Sequence, residues 1–380
     1  MRATSLFARL TLAALAAALI TVPAGAATLT WNGASAANGN WSTGSNWVGG
    51  VAATGTGSGD TLIFGSGTLR PSSTNTVNNF LLSGAQALRF TSAANYSLSG
   101  SSVVLGGNVS QTAASNVTIG MDVKLSATRT FALSNAGGTV NVTGVVSNQA
   151  GAAGLSKTLG GTLILSANNT YTGDTSVTGG TLVVNGTNLS SNVFVGGGAV
   201  LRGVGSVGDV TVDSGSVISA GTSAVGGVLQ VKSLSLLPDA QSQFTITGTS
   251  LGTQYNSIRS TGNVDYGSST VVLNFPNATQ LPHYSTYKLF DAASYSSNIA
   301  GIPNVNYVGD DLSFSETTEG SGVWKAYSPT TDQTLIFATG NGTLTVVPEP
   351  SSIVMLAMAG GVAGVFGMRR RKNQKSAATT

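Results

Sequence analysis

One short phrase is written twice between Leu155 and Gly186, and it limits what this chain can fold into. Gly161-Thr162-Leu163-Ile164-Leu165 returns nineteen residues later as Gly180-Thr181-Leu182-Val183-Val184. Asn168-Asn169-Thr170-Tyr171-Thr172-Gly173, between the two, is rich in turn formers. Two β-rich runs at a fixed spacing, split by Asn, Thr and Gly, describe one coil of a β-solenoid. The marker is Gly, a small residue, then a branched apolar one. It recurs as Gly138-Thr139-Val140, Gly161-Thr162-Leu163, Gly180-Thr181-Leu182, Gly198-Ala199-Val200 and Gly215-Ser216-Val217, at offsets of 23, 19, 18 and 17. Such drift is tolerable because added residues can go into the corners between strands. Alternation turns Leu182 and Val184 inward. Stacked coils then build parallel sheets in which each coil touches only its neighbours.

Composition agrees with a thin, ordered β core. Charged residues are 8% of the chain and apolar residues 41%, with only 12 Phe, 9 Tyr and 4 Trp. Disorder normally combines low hydrophobicity with high net charge, and neither holds here. The formal charge of +3 is misleading. Arg2, Arg9, Arg369, Arg370, Arg371, Lys372 and Lys375 lie in the two end segments, so the body is net acidic and offers no nucleic-acid footprint. Cysteine is absent, which removes disulfides, thiolate metal sites and thiol nucleophiles together.

Both ends read as processing signals. Arg2 and Arg9, the apolar run from Leu10 to Val22 and the small residues Ala24-Gly25-Ala26 form a secretory signal, with Ala27 as the first mature residue. Near the other end, Val347-Pro348-Glu349-Pro350-Ser351-Ser352 precedes the apolar run Ile353 to Met368, then Arg369-Arg370-Arg371-Lys372. Sixteen apolar residues span roughly 24 Å as a helix, about enough to cross a membrane, and the basic cluster would hold the cytoplasmic side.

Between these signals the chain reads as strands. Trp31, Trp41 and Trp47 cluster near the N-terminus. A solenoid needs its terminal coil covered, so the cluster is expected to be a cap; a sugar-stacking platform is the functional alternative. Short strand candidates without intervening helices fill 60–146, among them Thr61-Leu62-Ile63-Phe64 and Asn116-Val117-Thr118-Ile119. The segment 228–302 is less repetitive and reads as a C-terminal β cap or the last coils, and 304–347 as further strands.

Two resemblances follow. Gly161-Thr162-Leu163, Asn168-Asn169-Thr170-Tyr171-Thr172-Gly173 and Gly180-Thr181-Leu182 with Val184-Asn185-Gly186 resemble the autotransporter-associated β-strand repeat, also called the passenger-associated transport repeat. Ala167 and Asp174 stand near positions where that family has Gly. The resemblance implies a right-handed parallel β-helix in an exported surface protein, and no catalytic residue. The following passage is similar to one that often follows such repeats, with Asn256 where Asp is common. The tail, with Pro348-Glu349-Pro350, apolar helix and arginine cluster, resembles the PEP-CTERM sorting signal. That implies a Gram-negative host whose exosortase cuts near Pro348-Glu349-Pro350. Some proteins with this tail bear an ice-binding label, which names the tail and not an activity.

The expected organisation is all-β: a signal peptide at 1–26, an N-terminal cap and coils at 27–137, the repeat region at 138–227, a C-terminal β region at 228–346, the sorting signal at 347–372 and a cytoplasmic tail at 373–380. The partners expected are signal peptidase and exosortase, the membrane through the C-terminal helix before processing, and exopolysaccharide or other surface glycans.

Catalytic chemistry has little to stand on. His283 is the single histidine. A zinc site would need three carboxylates, and no Gly-x-Ser-x-Gly joins a strand to a helix. Asp209 and Asp213 are close but belong to one turn–strand junction. Asp310-Asp311 with Glu316 and Glu319 lack calcium-loop spacing and read as a solvated turn. Gly196-Gly197-Gly198 has no following helix to make a phosphate cradle. No catalytic residue, cofactor or metal is therefore expected. The functional expectation is a non-enzymatic exported solenoid, adhesive or structural within exopolysaccharide. A carbohydrate- or ice-binding module is the alternative, and a polysaccharide-active enzyme a third reading.

Overall fold

The computed structural model describes residues 26–53, 60–65, 75–78, 82–221, 226–276, 280–303 and 305–348, with backbone alone at 75–78 and 82–86. Within them the chain is a stack of β coils. A fourteen-stranded sheet begins at Thr28–Trp31 and ends at Ser294–Ser296. A ten-stranded sheet runs from Asn75–Asn78 to Thr270–Asn274. A third sheet of five strands opens at Thr187–Asn188 and closes at Phe290–Asp291, so the cross-section gains a third face at residue 187. The strands of these three sheets pair in parallel. One 3-10 turn, Gly44–Asn46, is the helical element among the described residues. No described helix is long and apolar enough to cross a membrane. The expected signal segment 1–25, with Ala24, and the apolar run 353–368 with Arg369, Arg370, Arg371 and Lys372 lie outside the described residues, as do Glu349 and Pro350.

The repeat marker is read directly in the second sheet. Thr139, Thr162, Thr181, Val200, Val217, Gln241 and Thr270 form one register column. The next column is the core: Val140, Leu163, Leu182, Leu201 and Ile218 are all buried. Leu182 and Val184 face inward as alternation requires. The marker misplaces the core by one residue in the last two coils. There the residues that align with Leu182 are Leu201 and Ile218, while Val200 and Val217 are half-exposed. The additional residue is Ala199 or Ser216, each fully buried beside its corner. Gly197 and Gly198 take the turn with φ of 63° and 75°, a backbone region open mainly to glycine.

Corners between coils are fastened by Asn and Asp side chains that accept a backbone amide from an adjacent coil. Asn95 accepts from Asn116, Asn108 from Thr130, Asp122 from Val145, Asn169 from Val146 and Asn168 from Thr187. These bonds satisfy corner amides that no ladder partner reaches. Asn256 is the fullest case: its Oδ1 accepts from the Thr245 amide, and its Nδ2 donates to the Ala220 carbonyl. An Asp at this position would lack the donor, which explains the Asn.

The segment 228–302 continues the coils. Gly227–Val231, Gln241–Thr245, Asn256–Ser260 and Thr270–Asn274 join the three parallel sheets. The end of the stack is covered by an antiparallel sheet in the order Thr286–Lys288, Thr343–Pro348, Gln333–Ala338, Val323–Ser328, Ser315–Glu316. It docks on the last coil. The Gly342 carbonyl accepts the amides of Leu289 and Phe290, and Tyr266 Oη donates to the Thr339 carbonyl at 3.2 Å. At the opposite end Trp31, Trp41 and Trp47 are buried around Phe64. Trp31 and Trp47 meet edge to face at 5.0 Å, and Trp47 Nε1 donates to the Trp41 carbonyl. With no ring face open, the trio works as a cap and not as a sugar platform.

Candidate functional site

The C-terminal signal begins inside the folded body. Leu344 and Val346 of the last strand, Thr343–Pro348, are buried in the cap, and Val347 and Pro348 are half-buried. The strand is interior to its sheet, with Thr286–Lys288 on one side and Gln333–Ala338 on the other. Pairing on the second side persists to Pro348 opposite Gln333. On the first side the Val346 amide donates to the Ser285 carbonyl at 3.0 Å, and the Tyr284 amide to the Val346 carbonyl at 2.7 Å. Val347 and Pro348 of the expected processing set are thus held in a sheet, with no free linker before Glu349.

Next to the expected N-terminal signal, Ala26 and Ala27 precede the first strand and are exposed. The Ala27 carbonyl accepts the Thr61 amide, and its own amide donates to Asp60 Oδ1, both at 2.8 Å.

The residues that catalysis would need are kept apart. His283 is exposed, and its Nδ1 lies 3.4 Å from Gln333 Nε2. Asp209 accepts from Ser233 Oγ at 2.6 Å, and Asp213 from the Ser214 amide. Asp310 binds the turn after Ser328: hydrogen bonds from the hydroxyls of Ser328 and Thr330 and from the Thr330 amide hold its carboxyl below the ordinary range. Glu316 is likewise lowered by the amide of Gly322, by Asn298 Nδ2 and by the amide of Gly320. Asp310 thus fastens the Ser328–Thr331 turn, and Glu316 the turn that leads to Gly322. Among the described residues no three His, Asp or Glu side chains converge as a metal site would require.

A groove that the sequence reading missed lies on the outer face of the second sheet. It encloses about 530 Å³ beside Arg202, Gln243, Asn274, Phe275 and Asn306. Arg202 pairs across to Val183, and Ser219, Gln243 and Val272 follow one another in register. The Arg202 Nε is buried without a hydrogen-bond partner, and no acid is among the described residues that line the groove. Register was the missing signal: with the core column placed one residue late, Arg202 becomes an outward residue.

Lys157 is a second surprise. It occupies an inward position between Phe131 and Val177 and is fully buried. Its Nζ donates to the carbonyls of Thr158, Leu159 and Gly179 at 3.0, 2.8 and 3.0 Å. Burial pulls its pKa down to about 8. Three carbonyls left over by the corner explain a lysine in an apolar row: it is an internal corner clamp.

Comparison with known families agrees with this geometry in two places. Residues 155–184 match the passenger-associated-transport-repeat, and residues 346–372 match the PEP-CTERM protein-sorting motif. No curated protein matches the sequence. The first match covers the most regular coil, from Leu155 to Val184; the second starts at Val346, within the last strand of the cap. The chain therefore carries a passenger-associated transport repeat inside a stack of parallel β coils, and a PEP-CTERM sorting motif that marks it for export to the cell surface and processing by an exosortase.

Proposed function

We propose that this protein is a non-enzymatic β-solenoid that works at the cell surface or in the extracellular matrix of a Gram-negative bacterium, as an adhesive or structural element within exopolysaccharide. The proposal includes right-handed winding of the coils and cleavage by signal peptidase after Ala26. It also includes a transient inner-membrane stage, held by the helix 353–368 and the basic cluster at 369–372. The observation that carries the reading is the continuity of the last cap strand with the sorting motif, which leaves the body as the cargo that processing releases. The outer columns support a passive role, since Thr139, Thr162 and Thr181 stack with Asn116 and Asn141 at hand and without a charge cluster. Many weak hydrogen bonds along a rigid stack add by avidity.

Mass spectrometry of the surface-associated protein, with and without the host's exosortase, tests this reading. The expected mature chain ends near Pro348-Glu349-Pro350 only when the exosortase is present. An intact Arg369-Arg370-Arg371 end on the surface form would sink it.

A second reading, specific carbohydrate binding, is favoured by the groove at Arg202. A guanidinium with a buried unpaired Nε and amide neighbours suits an acidic saccharide. Retention on an acidic polysaccharide should fall several-fold in Arg202→Gln; equal retention removes this reading and leaves the structural one. Ice binding would need a regular Thr array, which the described outward columns do not form. The Thr column is three coils long, and the next outward column holds Asn141, Ile164 and Val183. Absence of thermal hysteresis would dismiss it.

A further inference from the structure

The Asn and Asp side chains that fasten the corners follow a rule. Where the acceptor is buried it is a neutral amide, as at Asn169 and Asn256. Where it is an acid bonded to a neighbouring coil's amide in the same way, as at Asp122, it is exposed. Asp60 breaks the rule. It is 4% exposed, and its side-chain partner among the described residues is the Ala27 amide at 2.8 Å. An asparagine would accept that neutral N–H equally well without placing a charge out of water, which is costly unless the charge is paired.

Ala27 is the residue where the chain would acquire a charge. The small residues Ala24-Gly25-Ala26 mark signal-peptidase cleavage just before it. Hydrolysis of the Ala26–Ala27 peptide bond adds water across it: hydroxyl goes to the Ala26 carbonyl carbon and hydrogen to the Ala27 nitrogen. That nitrogen then takes a further proton from solvent and becomes an α-ammonium at neutral pH. It already lies at hydrogen-bond distance from the Asp60 carboxylate. We infer that Asp60 is the docking site for the amino terminus released at Ala27, so that signal-peptide removal replaces an amide–carboxylate hydrogen bond with an ion pair that locks the first coil. This inference rests on the export reading and on cleavage at this bond.

The location gives the pair its purpose. Thr28–Trp31 is the outermost strand of the first sheet, with the coil stack on one side only. It carries Trp31, a member of the cap, which also bridges to Trp47. Edge strands at a solenoid's end are the first to fray. Residue 27 is clipped at both its polar atoms, by Asp60 on nitrogen and by the Thr61 amide on oxygen. A charge-assisted bond at the first of these is about twice as strong as a neutral one. Before cleavage the same nitrogen is a neutral amide, so the clip closes fully only on the exported form.

The test uses the protein as exported by its host. Its first residue is determined by mass spectrometry. The folded protein is then exposed briefly to an amine-acylating ester, and modification of the α-amine is compared between wild type and Asp60→Asn. The expected result is Ala27 as first residue and labelling about ten-fold slower in wild type. In wild type, acylation should also speed amide exchange in Thr28–Trp31 and Thr61–Phe64. This second measurement keeps Asp60 intact and so does not depend on the variant folding. A first residue other than Ala27 overturns the cleavage reading and the docking together. Ala27 as first residue with equal labelling rates, or with exchange unchanged by acylation, overturns the docking alone.

Discussion

The two ends of the stack are closed by different means. The N-terminal end is closed by side chains: Trp31, Trp41 and Trp47 pack edge to face and tilted around Phe64, over a coil with little sheet beyond it. The C-terminal end is closed by backbone: a five-stranded antiparallel sheet bonded to the last coil at Gly342 and Thr339. A side-chain cap concentrates its contribution in a few large residues, whereas a sheet distributes it over a ladder. The largest effect of a single substitution is therefore expected at the N-terminal end. Trp31→Ala should cost about 3–5 kcal/mol, and because coils couple mainly to neighbours the loss should stay local. Hydrogen exchange should show Thr28–Trp31 and Thr61–Phe64 unprotected while Thr162–Leu165 remains protected. Uniform loss across the stack would break the contrast.

At the other end, Leu344→Ala removes one fully buried side chain from the interior strand of the cap. Its expected cost is about 2–4 kcal/mol. The consequence differs in kind, because this strand leads into the sorting motif. Loosening it should expose Val347 and Pro348, now paired with Thr334 and Gln333, to any protease that needs an extended chain. Limited proteolysis between 343 and 350 should quicken in the variant. Unchanged cleavage would mean that the strand's pairing does not govern access to the signal.

The same contrast explains what could be read from the sequence. Period and spacing disclosed the coils because Thr162–Leu165 and Thr181–Val184 repeat in identical register, and a stacked coil can bury only what alternates. The Trp cluster disclosed a cap because the number of Trp is small and three lie together. Three things stayed hidden. Corner insertions such as Ala199 and Ser216 shift the core by one residue, and the glycine markers move with the corner, not with the strand. That shift concealed Arg202 as an outward residue. Contacts between residues far apart in sequence, such as Ala27 with Asp60 and Lys157 with Gly179, depend on coil length, which no local pattern reports. The sorting tail was legible because its signal is contiguous; its attachment to a cap strand was not.

Between the ends, Lys157 gives a smaller effect with a distinct pH signature. Burial lowers its pKa to about 8, against 10.5 for an unburied lysine. Below pH 8 both folded and unfolded chains hold the proton, and the folded chain bears the cost of the buried charge. Between about pH 8 and 10.5 the unfolded chain binds more protons, so this residue's contribution to stability should rise with pH, by about 1–3 kcal/mol in total. Buried tyrosines act oppositely. Desolvation raises Tyr96, Tyr171 and Tyr266, so their contribution is present below about pH 10 and lost above it. Stability should peak at about pH 10, where the lysine's gain gives way to the tyrosines' loss. Urea unfolding of wild type and Lys157→Met from pH 7 to 10 isolates the lysine: the rise should be absent in the variant. A rise of equal size in both would assign it to another group.

The smallest effect expected lies at the surface of the C-terminal cap, where Asp310 binds the turn at Ser328–Thr331. Its carboxyl is held below the ordinary range by the hydroxyls of Ser328 and Thr330 and by the Thr330 amide. A lowered carboxylate pKa means that the folded chain releases this proton more readily than the unfolded one. The associated stability is therefore present above about pH 4 and is lost as the pH falls through the folded value. Because the group lies at the surface, Asp310→Asn should leave global unfolding nearly unchanged and act on the turn. Amide exchange at Thr330 should quicken in the variant at neutral pH, and acidification should erase the difference from wild type. The N-terminal Trp cap lies at the other end of the stack from Asp310, so the Asp310→Asn substitution should leave exchange in Thr28–Trp31 the same as in wild type at either pH. A difference that persisted in acid, or that extended to Thr28–Trp31, would show that the two ends are coupled through the stack and not closed independently.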